Sequence, residues 1–207
     1  MEAAKYIALG HQSIVELLAK DAKADPTTVW SDAKLSHGVH VSRGVVEGNA
    51  WNCIKATSIV SCSADLLASK LTDPAEMSTF DEMTDNCRVV EVFGTTSVRY
   101  VQAKPVFPTT ARDFLVVTAE ERHGNTIVIG TKSTTHPAVP ENPAFVRANT
   151  HVSGYIIRPR SAHECEVTLI VHMDLGGHMP AAVINLLSSS SPVKLLNHFQ
   201  HLYGHTA

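Results

Sequence analysis

EVTLIVHMDLGGHMP, residues 166–180, decides the fold. Val167, Leu169, Val171, Met173 and Leu175 alternate with Glu166, Thr168, His172 and Asp174, the period-2 pattern of a strand with one face in a core. Only Ile170 breaks the polar face. Gly176-Gly177 then frees the backbone for a sharp turn, and Pro180 suits the first turn of a helix. Beyond it Val183, Ile184, Leu187, Leu195, Leu196, Phe199, Leu202 and Tyr203 make an apolar helical stripe. The stretch predicts a long strand delivered directly into a final helix of about 25 residues. Pro192 removes a backbone donor beside the small side chains Ser188 to Ser191, so a kink or hinge is expected from Ser188 to Pro192.

Working backward, the segments from Cys87 on are rich in β-branched residues: CRVVEVFG, TSVRYVQAK, RDFLVVTAEE, NTIVIGTKSTTH and FVRANTHVSGYIIRPR. They are mostly joined by short turns such as His123-Gly124-Asn125, which predicts an antiparallel sheet. Residues 38–46 and 51–60, separated by Glu47-Gly48-Asn49, read as a hairpin. Between these β regions, Ser63-Ala64-Asp65-Leu66-Leu67 opens a short helix ending near Asp73-Pro74, and a further helical turn is expected over 75–80. At the N-terminus Ala3, Ile7, Gly10, Ile14 and Leu17 share a helical face with Leu18 beside it. The order is α+β: roughly eight strands in a sheet that curls around the last helix. Large side chains are scarce, with 6% aromatics, so a cavity between sheet and helix is expected.

With 207 residues the chain fits one domain, 1–207. Hydrophobic residues at 44% and charged residues at 18% match an ordinary globular chain and exclude disorder. A net charge of −3 with no basic block argues against nucleic acid. Cys53, Cys62, Cys87 and Cys165 contain no CxxC pair, so reduced buried thiols and a cytoplasmic location are expected. No apolar run approaches the roughly 18 residues of a membrane span, and the first residues do not read as a signal peptide.

No GxSxG, P-loop, HExxH or dinucleotide fingerprint is present. His198, His201 and His205 share a helical face without a carboxylate or cysteine partner, which favours a solvated face over a metal site; His37 and His40 have no cluster partner either. Asp174, His172 and His151 invite comparison with an acid-base set, but no activated nucleophile accompanies them. Val106 and Phe107 lie between two prolines in what reads as a loop, either packed at a sheet edge or exposed as an apolar tip.

Three segments resemble the START domain, the lipid-transfer family related to the steroidogenic acute regulatory protein: PVFPTTARDFLVV (105–117), STTHPAVPENPAFVRANTHVSGYIIRP (133–159) and EVTLIVHMDLGGHMPAAVINLL (166–187). The N-terminal third matches only in its pattern of elements. The resemblance implies a helix-grip fold and one lipid in a tunnel between sheet and C-terminal helix, transferred between membranes without a catalysed reaction or cofactor. It implies a gate formed by residues 104–110 and the C-terminal helix, with Val106, Phe107, Ser188 and Pro192 at the gate or the membrane. Arg112 and Asp113 would pin the strand after the gate loop, and Arg147 would start the next long strand. Some members carry a tunnel Arg further along the RDF strand; here that stretch reads Leu115-Val116-Val117-Thr118.

The expected ligand is a sterol or a glycerophospholipid. Arg99, a lone cation in the apolar run VRYV, is the expected headgroup contact, with Thr118, His151 and His172 as polar neighbours and Ile184, Leu187, Leu195 and Phe199 as apolar lining. A monomer touching membranes transiently is expected. Rival readings are a helix-grip enzyme of the aromatase/cyclase type, which requires positioned acid-base groups, and a ligand-sensing module, which predicts tight retention.

Overall fold

The computed structural model describes residues 2–177, 179, 184 and 191–204. Its centre is one antiparallel sheet of eleven strands. These are β1 (Thr28–Trp30), β2 (Lys34–Ser36), β3 (Val39–Val46), β4 (Cys53–Val60), β5 (Thr84–Phe93), β6 (Thr96–Ala103), β7 (Arg112–His123), β8 (Thr126–Ser133), β9 (Val146–Arg147), β10 (Asn149–Ser161) and β11 (Glu164–Asp174). The order is β1-β3-β4-β11-β10-β8-β7-β6-β5, with β2 on β3, and β9 pairs with β7 in the sheet's one parallel contact among the described residues. Three of the eleven, β1, β2 and β9, are too short to display a period and account for the difference from eight.

The sheet is covered on both faces, which explains Ile170. Helix α1 (Glu2–Asp21) packs on one face, where Ile14 and Leu17 meet Cys53, Val128, Val152, Ile156 and Ile170. Ile170 is therefore no exception to the alternation: the face predicted to be polar is buried under α1. Helix α2 (Ala64–Thr72), the turn α3 (Met77–Phe80) and helix α4 (Ser191–Tyr203) cover the other face, where Leu67, Phe80, Leu196 and Phe199 meet Ile127, Ile129, Ile157, Val167 and Leu169. Ser63 caps α2 by accepting from the Leu66 N–H at 3.1 Å.

Close approach shapes the α1 contact. It buries Gly10, Ile14 and Leu17 of the expected face together with Tyr6, Ser13 and Lys20, while Ile7 of that face is 48% exposed. Small residues select this face: a methyl group on Gly10 would stand 2.7 Å from the Ala119 Cβ, and one on Gly130 2.4 Å from the Ser13 Oγ. Ion pairs fasten the helix, Lys132 to Glu16 and Lys55 to Asp21, at 2.6 and 2.7 Å. Pro192 is buried in the described part of α4. Leu187 and the hinge position Ser188 lie outside the described residues.

Candidate functional site

Strand parity sorts the expected site residues. On β6, Val98 joins the cluster under Tyr6 of α1, so Ser97 and Arg99 point to the face carrying α2 and α4. The same argument places Thr118 there, since Val117 belongs to the α1 side. Ile129 and Tyr155 belong to the α4-side cluster, and Thr131 and Ser153 share their faces.

Arg99 is 9% exposed. Its Nε donates to the Ser97 Oγ at 2.8 Å, and its Nη2 donates to the Thr72 carbonyl at 2.7 Å, at the C-terminal end of α2. The negative end of the helix dipole favours a cation there. Among the described residues no carboxylate oxygen lies within 4.0 Å of the guanidinium. Burial draws its pKa below the ordinary value, opposed by Cys87 and Asp73, yet an arginine keeps its proton.

Registered pairing lines up four hydroxyl residues beside Arg99: Ser97 with Thr118, Thr118 with Thr131, and Thr131 with Ser153. The Thr118 and Thr131 hydroxyl oxygens are 3.1 Å apart. The same row continues through Val171 to Ile54 and there becomes aliphatic. Thr131, Ser153 and Tyr155 are only half-buried although β8 and β10 are interior strands with helices on both faces. Tyr155 lies 5.8 Å from the Phe199 ring; burial raises its hydroxyl pKa, and nearby Asp81 adds to the rise.

The two histidines expected beside the ligand lie on the opposite face. His172 pairs with Val152 of the α1-side cluster and follows Ile170 at strand period. A β-bulge between Thr150 and Val152 turns His151 onto that same face, with ring centroids 4.5 Å apart. His172 is 4% exposed, and its Nε2 has no hydrogen-bond partner among the described residues. Its pKa falls to about 4, first through burial and then through His151 and Lys20. Neither imidazole lines the α4 face: His172 keeps the alternation of β11 with Ile170, and the bulge after Thr150 sets His151 beside it.

Leu195 is half-buried against the α4-side core and Phe199 is fully buried in it, 5.6 Å from Phe80. Ile184 is half-buried. The loop 104–110 turns tightly, with the Thr109 N–H donating to the Val106 carbonyl at 2.8 Å. Val106 is half-buried and Phe107, at the tip, is 93% exposed. Arg112 joins this loop to the glycine turn before the last helix: it donates to the Leu175 and Gly176 carbonyls, each at 3.1 Å, and to the Thr110 carbonyl. Asp113, 1% exposed, receives Arg147 through Nε and Nη2 at 2.8 and 2.9 Å and the Tyr100 hydroxyl at 2.9 Å.

Among the described residues no cluster of His, Cys, Asp or Glu could hold a metal ion, and no helix is long and apolar enough to cross a membrane. A hollow of about 270 Å³ lies far from Arg99, between Asp65, Arg122 and the Pro159–Ala162 turn. Its exposed Arg122–Asp65 ion pair marks it as a solvated notch. Sequence reading missed Ser97, Thr131 and Ser153. Ser97 was legible as the second residue before Arg99 on one strand, whereas the alignment of the other two needed the pairing register.

Comparison with known proteins bears on this geometry. The family model described as START domain matches residues 28–206. The chain is 33% identical over 98 residues to the mitochondrial steroidogenic acute regulatory protein of Gallus gallus, a match covering 46% of this chain and 35% of that protein. The Danio rerio counterpart is 34% identical over 91 residues, covering 43% and 32%. Each match thus spans about a third of the relative's length. The solved structure of human StAR-related lipid transfer protein 5 has the same fold, with a TM-score of 0.83, 18% identity and 96% of both chains covered. That of the STAR-related lipid transfer protein from Xanthomonas axonopodis gives 0.71 and 20%, covering 83% of this chain and 97% of that one.

Proposed function

This chain belongs to the START domain family, and on that premise we propose that it binds one lipid, a sterol or a glycerophospholipid, and carries it between membranes with no catalysed step. The lipid occupies a tunnel on the α4 face of the sheet. The observation that carries this reading is the half-buried centre of that face: Thr131, Ser153 and Tyr155 keep accessible surface on interior strands, flanked by the apolar side chains under α2 and α4.

Physical chemistry supports the mechanism. Exposing lipid chains to water costs roughly 0.8 kcal/mol per CH₂ group, so a carrier must enclose them and open only at a bilayer. The C-terminal helix and the 104–110 loop form the gate, with Phe107 as the group that meets the membrane. Arg112 coordinates the two by holding Thr110 and Gly176 together. Arg99 holds the polar end of the lipid beside Thr118. The protein works as a cytoplasmic monomer, loaded and unloaded by transient membrane contact.

Native mass spectrometry of the purified protein after incubation with mixed-lipid vesicles tests this. One stoichiometric lipid per chain, together with movement of that lipid from donor to acceptor vesicles, is the expected result. A protein that takes up no lipid under conditions where a known carrier loads would overturn it.

A further inference from the structure

The polar row beside Arg99 has a direction. It begins at a buried guanidinium, passes through hydroxyl residues on four strands, and ends on the aliphatic Val171 and Ile54. Neighbouring strands are about 4.8 Å apart, so Ser97 to Ser153 spans roughly 14 Å. Each hydroxyl has one partner within the protein: Ser97 accepts from Arg99, Thr118 and Thr131 bond each other, and Ser153 donates to the Ile170 carbonyl; a ligand whose only polar group is one hydroxyl would leave their remaining hydrogen-bonding capacity facing hydrocarbon. A guanidinium presents five donors. Two contacts, to Ser97 and Thr72, use one donor each, and both acceptors are neutral.

We infer that this site selects an anionic amphiphile that carries hydroxyl groups along one edge, with its acidic group on Arg99, its hydroxyls on Thr118, Thr131 and Ser153, and its apolar part against the side chains under α2 and α4. The inference rests on the lipid-carrier reading and narrows its ligand class. Arg99 supplies charge-assisted hydrogen bonds to a phosphate or carboxylate, which are shorter and stronger than neutral ones. The hydroxyl stripe accepts and donates, so it matches a polyol and not a choline, which has no donor. Two sources share this chemistry: a phospholipid with a polyol head and a hydroxylated sterol acid. In either case the ligand runs across the strands, which explains why the polar residues lie in one cross-strand row and not along one strand.

The test is a binding panel on the whole chain: phosphatidylinositol, phosphatidylglycerol, cholate, cholesterol and phosphatidylcholine, with occupancy read by native mass spectrometry. The wild type is expected to load an anionic hydroxylated member at least 10-fold better than cholesterol or phosphatidylcholine. Occupancy by phosphatidylinositol or phosphatidylglycerol identifies the phospholipid source, and occupancy by cholate identifies the sterol acid. Arg99→Gln is expected to weaken that member by roughly 10- to 100-fold, the loss of a charge-assisted contact, and to weaken a neutral lipid clearly less. Because Arg99 also holds the end of α2, the double variant T131V/S153A, which leaves that contact intact, is measured beside it; a selective loss of the hydroxylated ligand is expected. Equal loading of cholesterol and anionic lipids, with both variants behaving as wild type, would overturn the inference while leaving lipid transfer standing. A protein that loads none of the five removes both.

Discussion

Arg112 donates to the Gly176 carbonyl at 3.1 Å. A residue at the start of β7 thereby fixes the backbone of the turn that follows β11. Leu175 and Thr110 offer carbonyls to the same guanidinium, so one side chain organises both arms of the proposed gate. Lysine, a point charge without the planar fork, cannot reproduce this set. Arg112→Lys is expected to speed amide hydrogen exchange in residues 104–111 and 175–177 at least severalfold while leaving α1 unchanged. Equal exchange in both proteins would show that the contact does not hold the gate.

Asp113 and Arg147 form a buried pair whose halves cannot be separated cheaply. Removing Arg147 strands a carboxylate that is 1% exposed, with only the Tyr100 hydroxyl left of its side-chain donors. Arg147→Ala is expected to cost about 3–5 kcal/mol, read as a lower urea midpoint. The double variant with Asp113→Asn should lose clearly less than the sum of the two single changes.

Acid should destabilise the fold through His172. Its pKa is about 4 in the folded chain and about 6.5 in an unfolded one. A depressed histidine pKa means that the unfolded state takes the proton first. The associated stability is complete above pH 6.5, is lost progressively as pH falls from about 6.5 to 4, and changes no further below that. The difference is worth roughly 3 kcal/mol. His172→Gln should flatten the stability curve in this window, and a curve of unchanged slope would assign the acid sensitivity to other groups.

Phe107 exposes 93% of its surface and so contributes little to folding. Phe107→Asp is expected to leave the urea midpoint unchanged and to cut vesicle-to-vesicle transfer at least several-fold. A transfer rate equal to that of the wild type would remove the loop tip from the membrane contact.

Gly154 has a φ of +150°, and a methyl group there would stand 1.9 Å from the Ile129 carbonyl oxygen and 2.8 Å from the Leu17 side chain. The backbone atom cannot yield, because β8 and β10 pair at this point. Gly154→Ala is expected to cost more than about 3 kcal/mol and to reduce soluble yield, whereas alanine at Gly124, with open space around it, should be tolerated far better.

The hairpin of β3 and β4, the long strands from β5 onward, α1 and α2 were legible because each carries its period within its own residues. Ile170 and Ile7 show where that signal stops. Ile170 interrupts a polar alternation because α1 buries that face, and Ile7 stays exposed because the smaller Gly10 and Ser13 take the helix contact. Arg99 was legible as a lone cation in an apolar strand, and its facing follows from its neighbour Val98.

By itself, the sequence determined the class of fold, the run of strands into a final helix, and the cation at position 99. These depend on local periodicity and on residue type. Only the tertiary structure decided which polar residues meet. One bulge at His151 carried its imidazole to the α1 face beside His172, and the registers of four strands brought Ser97, Thr118, Thr131 and Ser153 into a row. Side chains alternate with period two, so a single extra residue reverses a face; the partners across a sheet are set by pairings between segments far apart in the chain.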